Sequence, residues 1–473
     1  MFTQTTPSPA PPEPAAPPSP RAARLGALSV AGVLAVFFAP ALLGPDEFQY
    51  RDTGRMHAPV KRWVADELAH GRLPQWNPYS GLGSPVVAAA TDAVQHPFNL
   101  ALLVLPPGAA MKAWILLSYA LAAAGAFAWA RALGRGEAGC AVAALAFALS
   151  GPLVSSSDNV TYLTTYATLP WMFAAAHVHA RRGGPLRLAL VAFASAATAA
   201  AGDPQAWAIA VALLPGYSAA SADRGSRGRA FLGGVLAAGA AAVAAAPFVL
   251  PMLAWLPHTG RAAGISADDA ARWNLHPRRL LELIVPELFR GTPDDPLSPV
   301  FAAYAGNALT PLPWFLSLYA GAGVAALALL GAFRDRRARL LLLAAAGFAW
   351  AALGPHAGFG AIAARLPIVG AFRYWEKLSV WIPLLVAVPA ALGAEALLAG
   401  WGARRFSRAA ATAAAALLAA AAFAALAPGA LAALAGGPRA AGLGLAANLA
   451  SGAARAGLVL ALLATTAAAL DRR

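Results

Sequence analysis

The sequence predicts an all-α polytopic membrane protein. Of its 473 residues, 59% are hydrophobic and only 12% are charged, whereas about a quarter of the residues of a soluble globular domain are charged. The apolar residues form runs close to the length of about 20 residues that a helix needs to cross the hydrocarbon core of a bilayer. Short arginine clusters occupy alternate connections between these runs, as expected for loops that stay in the cytoplasm.

The apolar runs predict about twelve transmembrane helices. In order, we place them at residues 25–43, 111–131, 138–155, 160–178, 187–202, 205–221, 230–256, 311–333, 339–354, 377–399, 408–427 and 456–470. Residues 1–24 form a proline-rich segment, which is typical of a disordered tail. Residues 25–400 are interpreted as the main transmembrane module, and the alanine-rich residues 401–473 as scaffold helices.

Arginine placement also orients the chain. With Arg21 and Arg24 in the cytoplasm, the later basic clusters fall on the same side: Arg131 with Arg135, residues 334–339, residues 404–408, and Arg472 with Arg473. Both termini are then cytoplasmic. The formal net charge of +14 is explained by this anchoring and not by nucleic acid. Because the chain has a single cysteine, Cys140, an intrachain disulfide is excluded.

The extracytoplasmic face carries two long loops, 44–110 and 257–310. Within the first, the apolar residues of 52–73 have the spacing of an amphipathic helix lying on the membrane surface. The stretch GRLPQWNPYSGLGSP (71–85) follows, and its prolines and glycines predict a rigid, tightly turned loop. Residues 96–106 are apolar but too short to span, which predicts a re-entrant or interfacial segment.

This loop resembles the first outer loop of the YfhO-like bacterial membrane proteins, which belong to the GT-C superfamily of glycosyltransferases. The most specific block is LPQWNPY (73–79), preceded by the pair Arg51 and Asp52. Further similar motifs follow in the same order: SGPLVSSSDNVTYLTTYATLPW at 150–171, GDPQ at 202–205, APFVLPMLAWL at 246–256, LHPRRLLELIVPELF at 275–289 and FRYWEKLSVW at 372–381. Asp92 and His96 depart from the pattern, since relatives carry a small uncharged residue and an aromatic residue there.

The resemblance implies an inverting sugar transferase in the bacterial cytoplasmic (inner) membrane, with its active face outside. The donor would be a polyprenyl-phosphate-linked sugar that enters from the lipid bilayer, and the envelope acceptor is not identified. An acidic residue of the first outer loop would deprotonate the acceptor hydroxyl, and arginine or lysine would stabilise the phosphate leaving group. No cofactor is expected. A divalent metal has no convincing ligand set, because Asp92 and His96 supply only two ligands.

Asp52 is the first candidate for the general base, since it matches the acidic position of the family. Its alternative role is to cap the following helix. Asp46 and Glu47 lie closer to the end of the first helix and are the alternative bases, or else solvated loop charges.

The candidate substrate-binding residues share the outer face and have polar or aromatic side chains: Trp76, Asn77, Tyr79, Asp92, His96, Asp158, Asn159, Asp203, Gln205, Arg373 and Lys377. Asp158 and Asp203 lie in very short connections at membrane depth, where ionisable groups are costly. Each basic or aromatic member also has a structural interpretation: Trp76 as an interfacial anchor, and Arg373 and Lys377 as side chains that snorkel to the interface.

Two other functions remain open. A transporter or flippase of lipid-linked saccharides would also be polytopic, but transporters place charges near the bilayer midplane, on broken helices. Here the predicted spans are nearly free of charge, which favours chemistry at the membrane surface. A non-catalytic scaffold in envelope assembly is the third hypothesis, and replacement of Asp52 separates it from an enzyme.

The predicted orientation can be tested by cysteine labelling in intact cells. In a Cys140→Ala background, an impermeant thiol reagent is expected to label Ser80→Cys, because residue 80 lies in the first outer loop. Arg336→Cys is expected to be protected until the cells are permeabilised, because its loop is cytoplasmic. Labelling of residue 336 and protection of residue 80 would reverse the orientation.

Overall fold

The computed structural model describes most of the chain. The described residues are 20–48, 50–260, 265–266, 269, 272–290, 299–306, 312–363, 365–366 and 372–472. About 78% of the structure is helical, and the strand content of the described residues is one short antiparallel pair, Trp76–Asn77 with Ser84–Pro85. The predicted all-α class is therefore confirmed. Residues 1–19 of the predicted tail lie outside the described residues.

The residues that the structure describes form eighteen α-helices, and long segments precede those that begin at Pro107 and Ala322. In chain order they are α1 (Pro20–Phe37), α2 (Ala39–Leu43), α3 (Ala58–Ala69), α4 (Pro107–Ala132), α5 (Glu137–Ala148), α6 (Gly151–Ser155), α7 (Val160–Arg182), α8 (Pro185–Ala200), α9 (Pro204–Ser221), α10 (Arg227–Trp255), α11 (Pro299–Tyr304), α12 (Ala322–Arg334), α13 (Arg336–Ala352), α14 (Phe359–Ala363), α15 (Trp381–Leu398), α16 (Ala403–Leu426), α17 (Pro428–Ala435) and α18 (Arg439–Asp471). Shorter helical turns of other types cover Thr53–His57 (π), and Ala90–Asp92, Pro97–Leu103, Ser156–Asp158, Arg224–Ser226, Leu256–His258, Pro277–Leu283, Gly354–Ala357 and Trp375–Val380 (3-10).

Several helices are suited to a bilayer. Among the described residues, five are long and apolar enough to cross it: Pro107–Ala132, Arg224–His258, Trp375–Leu398, Ala403–Leu426 and Arg439–Asp471. The pair Glu137–Ala148 and Gly151–Asp158, bent by 43°, adds a sixth if it is counted as one broken span. The chain is thus an all-α membrane protein, as the composition predicts.

Three predicted boundaries are wrong. Residues 312–321 are not helical, so the span placed at 311–333 begins only at Ala322, after Gly321 with φ +103°. The first predicted span is interrupted at Phe38, between α1 and α2. The span placed at 456–470 belongs to a longer helix that begins at Arg439, because the many alanines before residue 456 favour helix.

The predicted amphipathic helix of the first outer loop exists, but protein covers its apolar side. A π-helical turn, Thr53–His57, leads directly into α3. Val64 of α3 is fully buried against Leu102 and Ala110, which precede and begin α4. The apolar face of this helix thus forms a small core with the rest of the loop.

The loop at residues 71–85 is a short hairpin. Trp76 pairs with Pro85 and Asn77 with Ser84. The Trp76 indole lies directly against Gly83, which has φ +100°, and leaves no room there for a Cβ atom. The glycine is therefore required both by the backbone conformation and by the close approach of the indole.

Glycines also bring α12 and α15 into backbone contact. A Cβ atom at Gly393 would overlap the carbonyl oxygen of Leu327, and one at Gly331 would overlap that of Pro389. Such close packing of small residues is typical of membrane helices, where van der Waals contact drives association.

Replacing one of these glycines by alanine should show whether packing or helix propensity has the larger effect on stability. Alanine is favoured over glycine in a helix by about 1 kcal/mol, yet Gly393→Ala should lower the apparent melting temperature in detergent because its methyl group meets a backbone oxygen. The matched control is Gly347→Ala on α13, where an added Cβ meets nothing within 4 Å. Equal melting temperatures for the two variants would contradict the packing argument.

Candidate functional site

The candidate site is a cleft where residues 51 and 52 meet the connection between α6 and α7. A non-helical segment before α12 forms its remaining wall. The lining residues are Arg51, Asp52, Ser156, Asp158, Asn159, Tyr162, Trp314 and Phe315. Three of the predicted site residues, Asp52, Asp158 and Asn159, are thereby brought together from distant parts of the sequence.

Asp52 stands at the beginning of the π-helical turn Thr53–His57, but its side chain does not cap that turn. Its Oδ2 instead accepts a hydrogen bond from Nδ2 of Asn159, at 3.1 Å. The residue is exposed, so solvent and a ligand can reach the carboxylate. The capping role weighed as the alternative is therefore wrong for Asp52.

Asn159 holds Asp52 because the local fold fixes the asparagine. It is the N-cap of α7, and its Oδ1 accepts hydrogen bonds from the backbone N–H of Tyr162 and from the Thr161 hydroxyl, at 3.3 and 2.7 Å. The oxygen is thus committed to the helix terminus. The amide nitrogen is left pointing at the Asp52 carboxylate.

Arg51 contacts both of the other segments that line the cleft. Its guanidinium forms an ion pair with Asp158 at 2.8 Å and donates to the carbonyl oxygens of Pro313 and Trp314 at 3.3 and 3.2 Å. The Arg51 backbone has φ +48°, a conformation that costs energy for a residue with a side chain. The side-chain contacts hold it there, and the adjacent Asp52 is aimed into the cleft as a result.

The wall at Trp314 and Phe315 rests on a buried ion cluster. Arg279, only 1% exposed, pairs with Glu282 at 2.8 Å and with Glu376, and donates to the Phe315 carbonyl at 2.7 Å. Glu376 also accepts the backbone N–H groups of Trp314 and Phe315. A buried guanidinium with two carboxylates is fully paired, and this pairing fixes the path of the wall.

Lys377 and Asp203 lie behind Tyr162. The Lys377 ammonium is 4.0 Å from the centre of the Tyr162 ring, 5.1 Å from that of Trp314, and 3.7 Å from Oδ1 of Asp203. Asp203 also caps α9 by accepting the backbone N–H groups of Gln205 and Ala206. Asp203 thus caps α9 and also pairs with Lys377 next to the cleft.

The ring of Tyr374 lies between Arg373 and Trp314, which lines the cleft. Its guanidinium is 4.5 Å from the centre of the Tyr374 ring, which stacks on Trp314 with ring centres 5.2 Å apart. Its Nε is buried without a hydrogen-bond partner. Arg373 is thus a cation near the site, and its described contacts leave the Nε–H donor without an acceptor.

Several predicted site residues are engaged elsewhere. Asn77 is buried in its own hairpin, where Oδ1 accepts the Tyr79 backbone N–H at 2.9 Å. Trp76 and Tyr79 are exposed on that hairpin. Gln205 is buried in the first turn of α9. The expectation that Asn77 faces the cleft finds no support in this hydrogen bonding, because the asparagine oxygen closes a turn instead.

Asp46 and Glu47 are exposed near the end of α2. Glu47 lies against Gly108 of α4 and lines a neighbouring cleft with Arg62. Its carboxylate therefore faces a different depression from the one that Asp52 lines.

Asp92 and His96 belong to a second buried cluster, centred on Lys61. The Lys61 ammonium donates to the Asp92 carbonyl oxygen at 2.7 Å and lies 4.6 Å from the centre of the Trp114 ring. His96 stacks on the same ring, with centres 5.0 Å apart. Burial lowers the pKa of Lys61 to about 7, although the nearby Asp92 carboxylate opposes the shift.

His57 and His96, which lie beside Lys61, are neutral because burial disfavours their charged form. Burial, reinforced by the charge of Lys61, lowers the pKa of His57 and that of His96 to about 3. Among the described residues, no group of three or more His, Cys, Asp or Glu side chains is arranged to hold a metal ion.

Sequence reasoning missed Arg51, Tyr162 and Trp314 of the cleft, Arg279 behind its wall, and Lys61 of the second cluster. Arg51 was visible as the neighbour of Asp52. Trp314 was hidden because its segment looked like the beginning of a membrane span. For Lys61 the signal was a lysine on the otherwise apolar side of a predicted helix.

Comparisons of the chain with protein-family models, with curated proteins and with solved structures found no match. The function proposed below therefore rests on the geometry of the cleft.

The Lys61 cluster predicts a pH dependence of stability. The unfolded lysine titrates near 10.5 and the folded one near 7, so between these values the unfolded state binds more protons. Stability should therefore rise as pH increases from 7 toward 10, by at most about 1.4 kcal/mol per pH unit. Lys61→Met should flatten this rise, whereas Lys112→Met retains Lys61 and should keep it. Denaturation midpoints measured across this range decide the matter, and an unchanged slope in Lys61→Met would contradict it.

The ion cluster predicts a large effect of Arg279→Met. Two buried carboxylates would lose their shared partner, and breaking such a cluster costs about 3–5 kcal/mol. The apparent melting temperature should fall sharply. The adjacent Arg278 is exposed, so Arg278→Met is the control and should change little. A stable Arg279→Met protein would show that the cluster does not support the wall.

Proposed function

We propose that this protein is an extracytoplasmic membrane glycosyltransferase that uses a polyprenyl-phosphate-linked sugar, with Asp52 as general base. The observation that carries the proposal is the placement of Asp52. Its carboxylate is exposed in a cleft, free of any capping role, and oriented by an asparagine that is itself fixed. These are the properties required of a base that must meet an acceptor hydroxyl.

The chemistry is a single displacement at the anomeric carbon. Asp52 removes the proton of the acceptor hydroxyl, and the oxygen attacks the carbon on the face opposite the phosphate. The bond between that carbon and the phosphate oxygen breaks, and polyprenyl phosphate leaves with the electron pair. The configuration at the anomeric carbon is inverted.

The neighbouring acid is less suited to be the base. Asp158 is paired with Arg51 at 2.8 Å and its side chain is only 13% exposed, so an acceptor hydroxyl reaches Asp52 more readily. The role of Asp158 in the proposal is to hold Arg51, and hence the backbone that carries Asp52.

The cations beside the cleft supply binding for the donor phosphate. Arg373 is the first candidate, because its buried Nε has no hydrogen-bond partner and a guanidinium can bind phosphate through two donors. Lys377 contributes positive potential from behind the Tyr162 ring. Trp314 and Tyr162 offer apolar ring faces on which a sugar can stack.

The proposal includes the predicted topology of about twelve spans with cytoplasmic termini. Helices shorter than the usual span, such as α8 and α12, would then cross as part of the bundle. Helix α9 illustrates the geometry: its 18 residues, at about 1.5 Å per residue, measure about 27 Å, close to the hydrocarbon thickness of about 30 Å. Asp203 precedes one end, beside the cleft, and the arginines that follow Ser221 lie at the other.

Asp52→Asn tests the proposal most directly. Asparagine keeps the size of the side chain but cannot accept the acceptor's proton. Transfer should fall by about a hundredfold or more, measured as release of polyprenyl phosphate from a radiolabelled polyprenyl-phosphate sugar in membranes. Stability should change little, since the carboxylate forms no cap. Asp52→Ala should lose activity to a similar extent.

Glu47→Gln is the control, because it removes a carboxylate of the same loop that faces another cleft. It should retain transfer. Wild-type transfer by Asp52→Asn would exclude Asp52 as the base and return Asp46 and Glu47 as candidates. A flippase would move the labelled lipid without releasing polyprenyl phosphate, and a scaffold would show neither activity.

A further inference from the structure

A second cleft, of about 630 Å³, lies at the opposite end of α9 from Asp203. It is formed where the connection between α9 and α10 meets the junction of α12 and α13. The lining residues are Ala220, Ala222, Asp223, Arg224, Arg227, Asp335, Arg336, Arg337 and Leu340. The candidate glycosyl-transfer site does not use any of them.

The lining of this cleft is positive. Four arginines and two aspartates line it, a net charge of +2. Asp335 is committed to capping α13, where its Oδ1 accepts backbone N–H groups of Arg337 and Ala338. Asp223 pairs with Arg181 at 3.2 Å, from outside the lining, and lies 4.0 Å from Arg337.

The remaining arginines are available for an anion. Nε of Arg227 is buried without a hydrogen-bond partner, although the side chain lines the cleft. Arg336 and Arg224 are exposed at its edge. A guanidinium donor that is withdrawn from water and left unpaired has a cost, which a bound anion would remove.

Apolar side chains continue from the cleft along two helices. On α10, Phe231 and Val235 follow Arg227 at intervals of four residues and are 46% and 47% exposed. On α13, Leu340 and Leu343 follow Arg336 on one face and are 42% and 67% exposed. The anion site thus adjoins exposed apolar residues on two helices.

We propose that this cleft binds the phosphate group of an anionic membrane phospholipid, with the acyl chains along the apolar faces of α10 and α13. A phosphate diester matches the guanidinium donors, and the net positive lining favours a lipid with net negative charge. The apolar faces distinguish a lipid from a soluble phosphate, which would have no use for them. The site is independent of the proposed glycosyl transfer.

The test uses the full-length protein in detergent, titrated with short-chain phosphatidylglycerol while its melting temperature is recorded. Wild-type protein should be stabilised with saturable dependence. Short-chain phosphatidylcholine and inorganic phosphate should have much weaker effects. In Arg227→Gln/Arg336→Gln, the apparent affinity for phosphatidylglycerol should fall by about tenfold or more, as expected when charge-assisted hydrogen bonds are lost.

The control is Arg404→Gln/Arg408→Gln, which removes two exposed arginines near the beginning of α16. That end of α16 adjoins the α12–α13 junction, since the Arg334 guanidinium lies 5.7 Å from the centre of the Trp401 ring. The control should bind phosphatidylglycerol like the wild type. If both double variants lost affinity for phosphatidylglycerol equally, general surface charge would explain the binding, and the proposal would be overturned. Stabilisation by inorganic phosphate as strong as by the lipid would overturn the lipid assignment.

Discussion

The candidate site depends on one buried cation, the guanidinium of Arg279. In a low-dielectric interior such a charge must be fully paired, and here two glutamates and a backbone carbonyl pair it. Glu376 then uses its remaining capacity on the backbone of Trp314 and Phe315. The pairing of Arg279 thus joins the segments that carry Glu282 and Glu376. It also fixes the backbone of Trp314 and Phe315, which forms the wall of the cleft.

Around that wall, polar groups are arranged so that each contact constrains the next. Arg51 binds the carbonyl oxygens of the wall and pairs with Asp158, while Asn159 is held by the N-terminus of α7. Asp52, between them, makes one hydrogen bond and remains exposed. Preorganised neighbours around one accessible carboxylate are what separates a reactive group from a structural one. Asp203 shows the contrast, since its oxygens serve a helix cap, a tyrosine and a lysine.

The two clefts lie at opposite ends of helix α9 and differ in their lining. One combines a carboxylate with aromatic walls, and the other gathers arginines above exposed apolar faces. Helix α9 connects them, with Asp203 before its first residue and the arginine-rich turn after its last. Both arrangements place ionisable groups at helix ends, where water or lipid headgroups can solvate them, and this placement limits the cost of charge in a membrane protein.

The sequence by itself determined the all-α membrane class, because long apolar runs have few other stable structures in a bilayer. It also indicated the long loop before α4 and two kinds of candidate: Asp52 by its match to the family motif, and Asp158 and Asn159 by their place in a short connection. Only the tertiary structure decided that Asp52 forms no cap, that Asn77 closes its own hairpin, and that residues 312–321 leave the helical pattern to form a wall. Hydropathy measures how apolar a segment is, whereas these outcomes depend on which distant partner satisfies each hydrogen bond and charge, and that is settled only when the helices pack.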